Sequence, residues 1–191
     1  MNPLYLHDGA ARVLVLAAFG LWALVELYVR WRSRAAHREL ERTFLVVLAT
    51  IALGLVLGFR LEHVAGTLIG GWAPVIVGTA LLLAGTAFRT WAVVELGRFF
   101  TVTVTIQPGH RVVDSGPYRR LRHPSYTGLL TSMLGLGIAL GNWLSVLALV
   151  VLPLAGVLVR IRAEEAALTA ALGDSYRAYA ARTDRLIPGV W

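Results

Sequence analysis

The feature that most constrains this chain is the recurrence of apolar runs about as long as a bilayer is thick, divided by short arginine-rich segments. A helix needs about 20 consecutive apolar residues to cross the hydrocarbon core. Residues 10–29, 44–64 and 72–96 meet that length. Two shorter runs, 126–140 and 143–159, are separated only by Gly141-Asn142, a pair suited to a tight turn between antiparallel helices. The expected fold is all-α: an integral membrane protein with five transmembrane helices, the last two forming a tight hairpin.

Composition supports the bilayer as solvent. The chain is 57% hydrophobic and 15% charged, against about 45–50% apolar residues in ordinary soluble domains. No small-residue cleavage site follows the first apolar run, so that run is expected to be a retained span. Cysteine is absent, which excludes disulfides, thiolate metal ligands and a cysteine nucleophile. The five histidines show no ligand spacing, so no metal site is expected.

The net charge of +7 comes with 18 basic residues, all arginine, that cluster between the apolar runs. No soluble module carries a basic stripe with interleaved aromatics, so nucleic acid is not an expected partner. Membrane topology explains the charge instead. Arg30, Arg32, Arg34, Arg38 and Arg42 lie between the first two spans, Arg98, Arg111, Arg119, Arg120 and Arg122 between the third and fourth, and Arg160, Arg162, Arg177, Arg182 and Arg185 at and beyond the end of the fifth. The opposite side holds only Arg12 and Arg60. The positive-inside rule then puts the N-terminus outside and the C-terminus in the cytoplasm. No cytoplasmic segment is long enough for a separate soluble domain, so 1–191 reads as one membrane domain, with three spans in 1–97 and any active site at the membrane face.

The longest polar and aromatic stretch is Gly116-Pro117-Tyr118-Arg119-Arg120-Leu121-Arg122-His123-Pro124-Ser125-Tyr126-Thr127-Gly128. Proline biases His123 out of the helical region and suits the first turn of the helix that follows. The N–H groups of Ser125 and Tyr126 then stand at a helix N-terminus, where a carboxylate or phosphate could bind. A solvated helix start touching lipid phosphates is the plainer reading. Upstream, residues 107–118 carry two turn signals around Val112-Val113 and could form a ligand wall or a plain connector.

Arg160 and Glu164 stand one helical turn apart at the cytoplasmic end of the last run. They are either a surface ion pair, with a contribution of about 0.3–0.5 kcal/mol, or receivers for ligand groups of opposite charge. Glu165 falls on a different face. Glu26, Arg89 and Glu95 are ionisable groups at membrane depth. Local partners exist in Arg30 for Glu26 and Arg98 for Glu95, and Arg89 can snorkel, so these three read as structural. Small residues spaced by four, Gly54 with Gly58 and Gly137 with Gly141, suit close helix packing in lipid. Gly173-Asp174 reads as a helix stop and a new N-cap before a short helix bearing Tyr176 and Tyr179.

Taken in order, His110 to Val113, Ser115 to Tyr118, Arg122 to Gly128, Gly141-Asn142, Arg160-Ile161 with Glu164-Glu165, Gly173 with Tyr176 and Tyr179, and Ile187-Pro188 resemble the isoprenylcysteine carboxyl methyltransferases and their prokaryotic relatives, themselves akin to phospholipid methyltransferases. The resemblance covers roughly the C-terminal half, 98–191. It implies a methyltransferase in a prokaryotic cytoplasmic membrane that uses S-adenosylmethionine in a cytoplasmic helical pocket, with a lipophilic acceptor arriving from the bilayer. Carried over by position, His110, Arg111, Val112, Val113, Tyr118, His123, Pro124, Ser125, Tyr126 and Glu164 would contact the cofactor. Arg160 would face the acceptor, which makes Arg160 and Glu164 the catalytic candidates. Where eukaryotic members carry a polar Asn and His-like pair, this chain reads Arg98-Phe99-Phe100-Thr101-Val102-Thr103-Val104, so a small isoprenoid or other lipophilic acid is as plausible an acceptor as prenylated protein. Rival readings are an amine methyltransferase acting on a phospholipid headgroup, an NADPH-dependent sterol or enone reductase, and a non-enzymatic membrane scaffold.

Overall fold

The computed structural model describes residues 3–33, 42–61, 63–64, 70–100, 109 and 111–191. Arg34, Arg38, His110 and the stretch 101–108 lie outside them. The α-helices among the described residues are α1 (Leu4–His7), α2 (Gly9–Ser33), α3 (Arg42–Leu61), α4 (Trp72–Leu96), α5 (Pro124–Ala139), α6 (Trp143–Leu172) and α7 (Asp174–Ala181).

Four segments, Gly9–Trp31, Arg42–Leu61, Trp72–Phe99 and Trp143–Leu172, are long and apolar enough to cross a membrane. Less than half of each is buried inside the protein. Val13, Leu24, Leu27 and Val56 point outward, a surface that suits lipid and would aggregate in water. The expected spans thus reappear as long helices, with one difference: the fourth run is a 16-residue helix. At 1.5 Å per residue α5 is about 24 Å long, short of the ~30 Å hydrocarbon core.

Within the protein, α5 is the inner strut of the bundle. Leu129, Met133, Leu136 and Ala139 are buried, and glycines bring its backbone onto α4. A Cβ at Gly135 would lie 2.3 Å from Leu82 N, and one at Gly78 would lie 2.3 Å from Ala139 N. Gly85 and Gly128 extend the same contact toward the other end. This ladder is where backbone packing is closest. Gly54 and Gly58 do pack as expected, against Ala148, Pro153 and Leu149 of α6, and Gly137 packs against Val146.

The turn after α5 carries its own chemistry. Gly141 takes φ +74°, open to glycine at little cost. Asn142 caps α6: its side-chain oxygen accepts from Leu144 N at 2.8 Å, while its amide donates to Val64 O at 2.8 Å. Helix α6 runs unbroken to Leu172, so Arg160 and Glu164 share one rigid element. At the other end Gly173, φ +56°, stops α6 and is itself the N-cap of α7. Asp174 is therefore the first residue of α7 rather than its cap, and its carboxylate receives Arg177 Nη1 at 2.5 Å.

Candidate active site

A cavity of about 180 Å³ opens where the cytoplasmic ends expected for α2, α4, α5 and α6 converge. Its polar end is built on α6. Arg160, only 2% exposed, donates from Nε to Glu164 Oε1 at 2.8 Å and from Nη1 to Thr43 Oγ1 of α3 at 2.8 Å. The Tyr126 hydroxyl of α5 donates to the same Glu164 oxygen at 2.7 Å. This buried cluster is not the exposed surface pair that spacing alone allows.

His123, held just before α5 by Pro124, sits between two carboxylates. Nδ1 lies 3.4 Å from Glu164 Oε2, and Nε2 lies 3.4 Å from Glu165 Oε1. Burial disfavours its charged form, but the hydrogen bonds and negative charges of Glu164 and Glu165 outweigh that and hold its pKa above the ordinary histidine value. In its protonated form both ring nitrogens are donors, one toward each carboxylate. The backbone keeps it there: His123 N donates to Arg185 O at 3.1 Å, beside the isolated bridge that joins Leu121 to Asp184.

Glu165, on the neighbouring face, ties the C-terminal segment to this wall. Arg185 reaches it with Nε at 3.1 Å and Nη2 at 3.0 Å, and Arg122 Nε approaches to 3.3 Å. Arg122, Tyr176 and Tyr179 line the cavity as well. The Tyr179 hydroxyl faces the carbonyls of Tyr118 at 2.9 Å and Leu121 at 3.2 Å. The Tyr176 hydroxyl is buried with no hydrogen-bond partner among the described residues. Burial, then the Glu165 charge, pushes the Tyr176 phenol up, and burial followed by the Glu164 charge does the same for Tyr118.

Of the residues carried over by resemblance, Arg111, Val112, Val113, Tyr118, His123, Ser125, Tyr126, Arg160 and Glu164 all line this one cavity. The 111–118 segment is thus a cavity wall rather than a plain connector. Pro124 is not in the lining; it starts α5 and presents its neighbours. His110 lies outside the described residues. One expectation is corrected. The Tyr126 N–H already donates to His123 O at 3.0 Å, so it is not available to an anion as the helix-start argument supposed.

Several site residues were missed. Arg89 does not snorkel: its Nη2 donates to Glu26 Oε2 at 3.0 Å and its Nε also pairs with that carboxylate. Glu95 receives the Ser115 hydroxyl at 2.5 Å. Thr43, Glu165, Arg122, Tyr176 and an apolar wall of Phe44, Val47, Leu48 and Ile51 were not singled out as site residues either. The wall carried a faint signal, since it is the N-terminal half of an otherwise ordinary span.

With the geometry in place, residues 77–170 match the isoprenylcysteine carboxyl methyltransferase family, a stretch from α4 to the end of α6 that contains the whole Arg160–Glu164–Tyr126–His123 cluster. The matched stretch is 94 of the chain's 191 residues. A probable protein-S-isoprenylcysteine O-methyltransferase from Oryza sativa subsp. indica is 29% identical over 168 residues, covering 84% of this chain and 87% of the relative. The protein-S-isoprenylcysteine O-methyltransferase of Schizosaccharomyces pombe is 35% identical over 109 residues, covering 56% of this chain and 46% of its own. The solved structure of the eukaryotic intramembrane Ras methyltransferase ICMT shares the fold, with a TM-score of 0.61 at 20% identity over 93% of this chain and 68% of that one. With the family match and these relatives, this chain is a membrane methyltransferase, and Glu26, α2 and α7 lie outside the matched stretch.

Proposed function

We propose that the protein transfers the methyl group of S-adenosylmethionine to the carboxylate of a lipophilic acceptor, an isoprenoid or prenylcysteine-like compound. The observation that supports this most is the composition of one cavity: an arginine and a glutamate locked together at one end, and apolar side chains of α3 along its wall. A sulfonium methyl donor with a carboxylate and an amino group suits that polar end, and a prenyl chain suits the apolar wall.

The donor residues fit such a ligand. Glu164 is an acceptor for a ribose hydroxyl or an ammonium group, Arg111 is a cation beside Val112 and Val113, and the Tyr176 hydroxyl, unpartnered among the described residues, marks polar capacity a ligand can use. When bound, the sulfonium supplies an activated methyl group with a neutral thioether as leaving group. The chain's own residues then supply position. Arg160 orients the acceptor carboxylate by charge-assisted hydrogen bonding, Tyr126 and His123 fix Glu164, and the apolar wall excludes water. A carboxylate nucleophile needs no general base, so alignment of the reacting groups supplies much of the catalysis.

In this reading α5 and α6 are the last two of five crossings, paired as a hairpin, the N-terminus lies outside, and the cavity opens to the cytoplasm of a prokaryotic inner membrane. The test is thermal stabilisation of purified protein by S-adenosylhomocysteine and by NADPH, assayed separately. Stabilisation by the first alone is expected. Stabilisation by NADPH alone would reject the reading in favour of a reductase.

A further inference from the structure

Two ionisable groups at membrane depth remain unused by the reaction. Glu26 of α2 is 6% exposed, and Arg89 of α4 grips its carboxylate with Nε and Nη2. The same guanidinium donates from Nη1 to the carbonyl of Ser125, in the first turn of α5, at 3.0 Å. Both residues line the cavity.

We propose that Glu26 and Arg89 are a positioning pair that sets the first turn of α5 and, through Tyr126, the place of Glu164. Helix α2 is then a working wall of the site and not only a membrane anchor. The inference rests on reading the cavity as the methyl-donor site.

Three observations carry it. First, the guanidinium is oriented by a bidentate carboxylate so that its remaining edge addresses one particular carbonyl, a fork that lysine cannot reproduce. Second, the backbones touch there: a Cβ at Gly128 would lie 2.7 Å from Arg89 N, so displacement of Arg89 passes to α5 without slack. Third, the contacts continue. The residue after Ser125 is Tyr126, whose hydroxyl holds Glu164, which holds Arg160, which holds Thr43. One polar circuit therefore joins α2, α4, α5, α6 and α3 around the cavity. As mere cement, a buried ion pair is poor value, since apolar residues of similar volume are often as stabilising.

The test uses the full-length protein in detergent or nanodiscs, with S-adenosylhomocysteine as the probe. Glu26→Gln and Arg89→Lys are each expected to weaken its binding ~10-fold, and each is expected to be non-additive with Tyr126→Phe, as residues in one network are. The exchanged pair Glu26→Arg with Arg89→Glu restores an ion pair between α2 and α4 but offers the Ser125 carbonyl no donor. It should recover thermal stability and not affinity. Recovery of both, additivity with Tyr126→Phe, or parent-like binding by the single variants overturns the proposal. A parent that binds no S-adenosylhomocysteine rejects the site reading itself. Amide exchange at residues 125–128 then decides the positioning claim: faster exchange in Glu26→Gln than in a variant of equal thermal stability altered elsewhere supports it, and equal exchange overturns it.

Discussion

Replacing Glu164 by glutamine preserves the shape of the side chain and removes its charge, which isolates what the carboxylate does. Two short hydrogen bonds end on its Oε1, from Arg160 at 2.8 Å and Tyr126 at 2.7 Å, and glutamine can keep both with its carbonyl oxygen. The Tyr126 bond falls from a charge-assisted one of about 1.5–3 kcal/mol toward a neutral one of ~1 kcal/mol, while the Arg160 bond keeps its charged donor and loses only the charge of the acceptor. At the second oxygen the glutamine NH2 replaces an acceptor that lies 3.4 Å from His123 Nδ1, setting donor against donor. A donor-site loss of about 2 kcal/mol corresponds to a ~30-fold weaker dissociation constant. Glu164→Ala is harsher, because it strips the carboxylate partner from an Arg160 that is 2% exposed. Removing one partner of a buried pair costs about 3–5 kcal/mol of stability. Calorimetry with S-adenosylhomocysteine and thermal unfolding of the same preparations read the two effects separately. Parent-like binding by Glu164→Gln, or an alanine variant no less stable than the glutamine one, would refute the reasoning.

Tyr176→Phe removes a buried hydroxyl that has no partner among the described residues, so unfolding is expected at the parent temperature or slightly above it, whereas Tyr179→Phe, which loses the bond to the Tyr118 and Leu121 carbonyls, should be destabilised by about 1 kcal/mol; thermal melts of the two variants side by side check this. Gly135→Ala drives a methyl to within 2.3 Å of Leu82 N and should cost about 1–3 kcal/mol by overpacking, read as a lower thermal midpoint. The His123 pKa is raised in the folded protein, so its contribution to stability is fully present below the unfolded value of 6.5 and is lost as pH rises through the folded value. A stability profile from pH 6 upward should therefore decline, and His123→Gln should flatten that part of the decline.

The helices were legible because length and apolarity are local properties: 72–96 was expected as a span and α4 runs Trp72–Leu96. Gly141-Asn142 likewise announced its turn by residue type. The length of α5 as a crossing was not legible, since a 16-residue apolar run suits both a buried strut and a short span. In the site, Arg160 and Glu164 could be paired by helical spacing, yet their burial depends on Thr43, Tyr126 and His123 arriving from elsewhere. Glu26 and Arg89 are 63 residues apart, and candidate partners at helical spacing give no hint of a contact that only the fold creates. Helical spacing puts Glu165 on a different face from Arg160, and that face is the one the C-terminal segment covers through Arg185.

The central claim is methyl transfer to a lipophilic carboxylate, and the most direct measurement is the product. Purified protein is incubated with labelled S-adenosylmethionine and, separately, a panel of prenyl acids, prenylcysteine compounds and a membrane lipid extract, followed by mass analysis and mild alkaline hydrolysis. The expected result is a gain of one methyl group on a prenyl-bearing acid, released by alkali as an ester would be. An alkali-stable methyl group on a lipid amine, or no transfer to any acid in the panel by protein that binds S-adenosylhomocysteine, would contradict it.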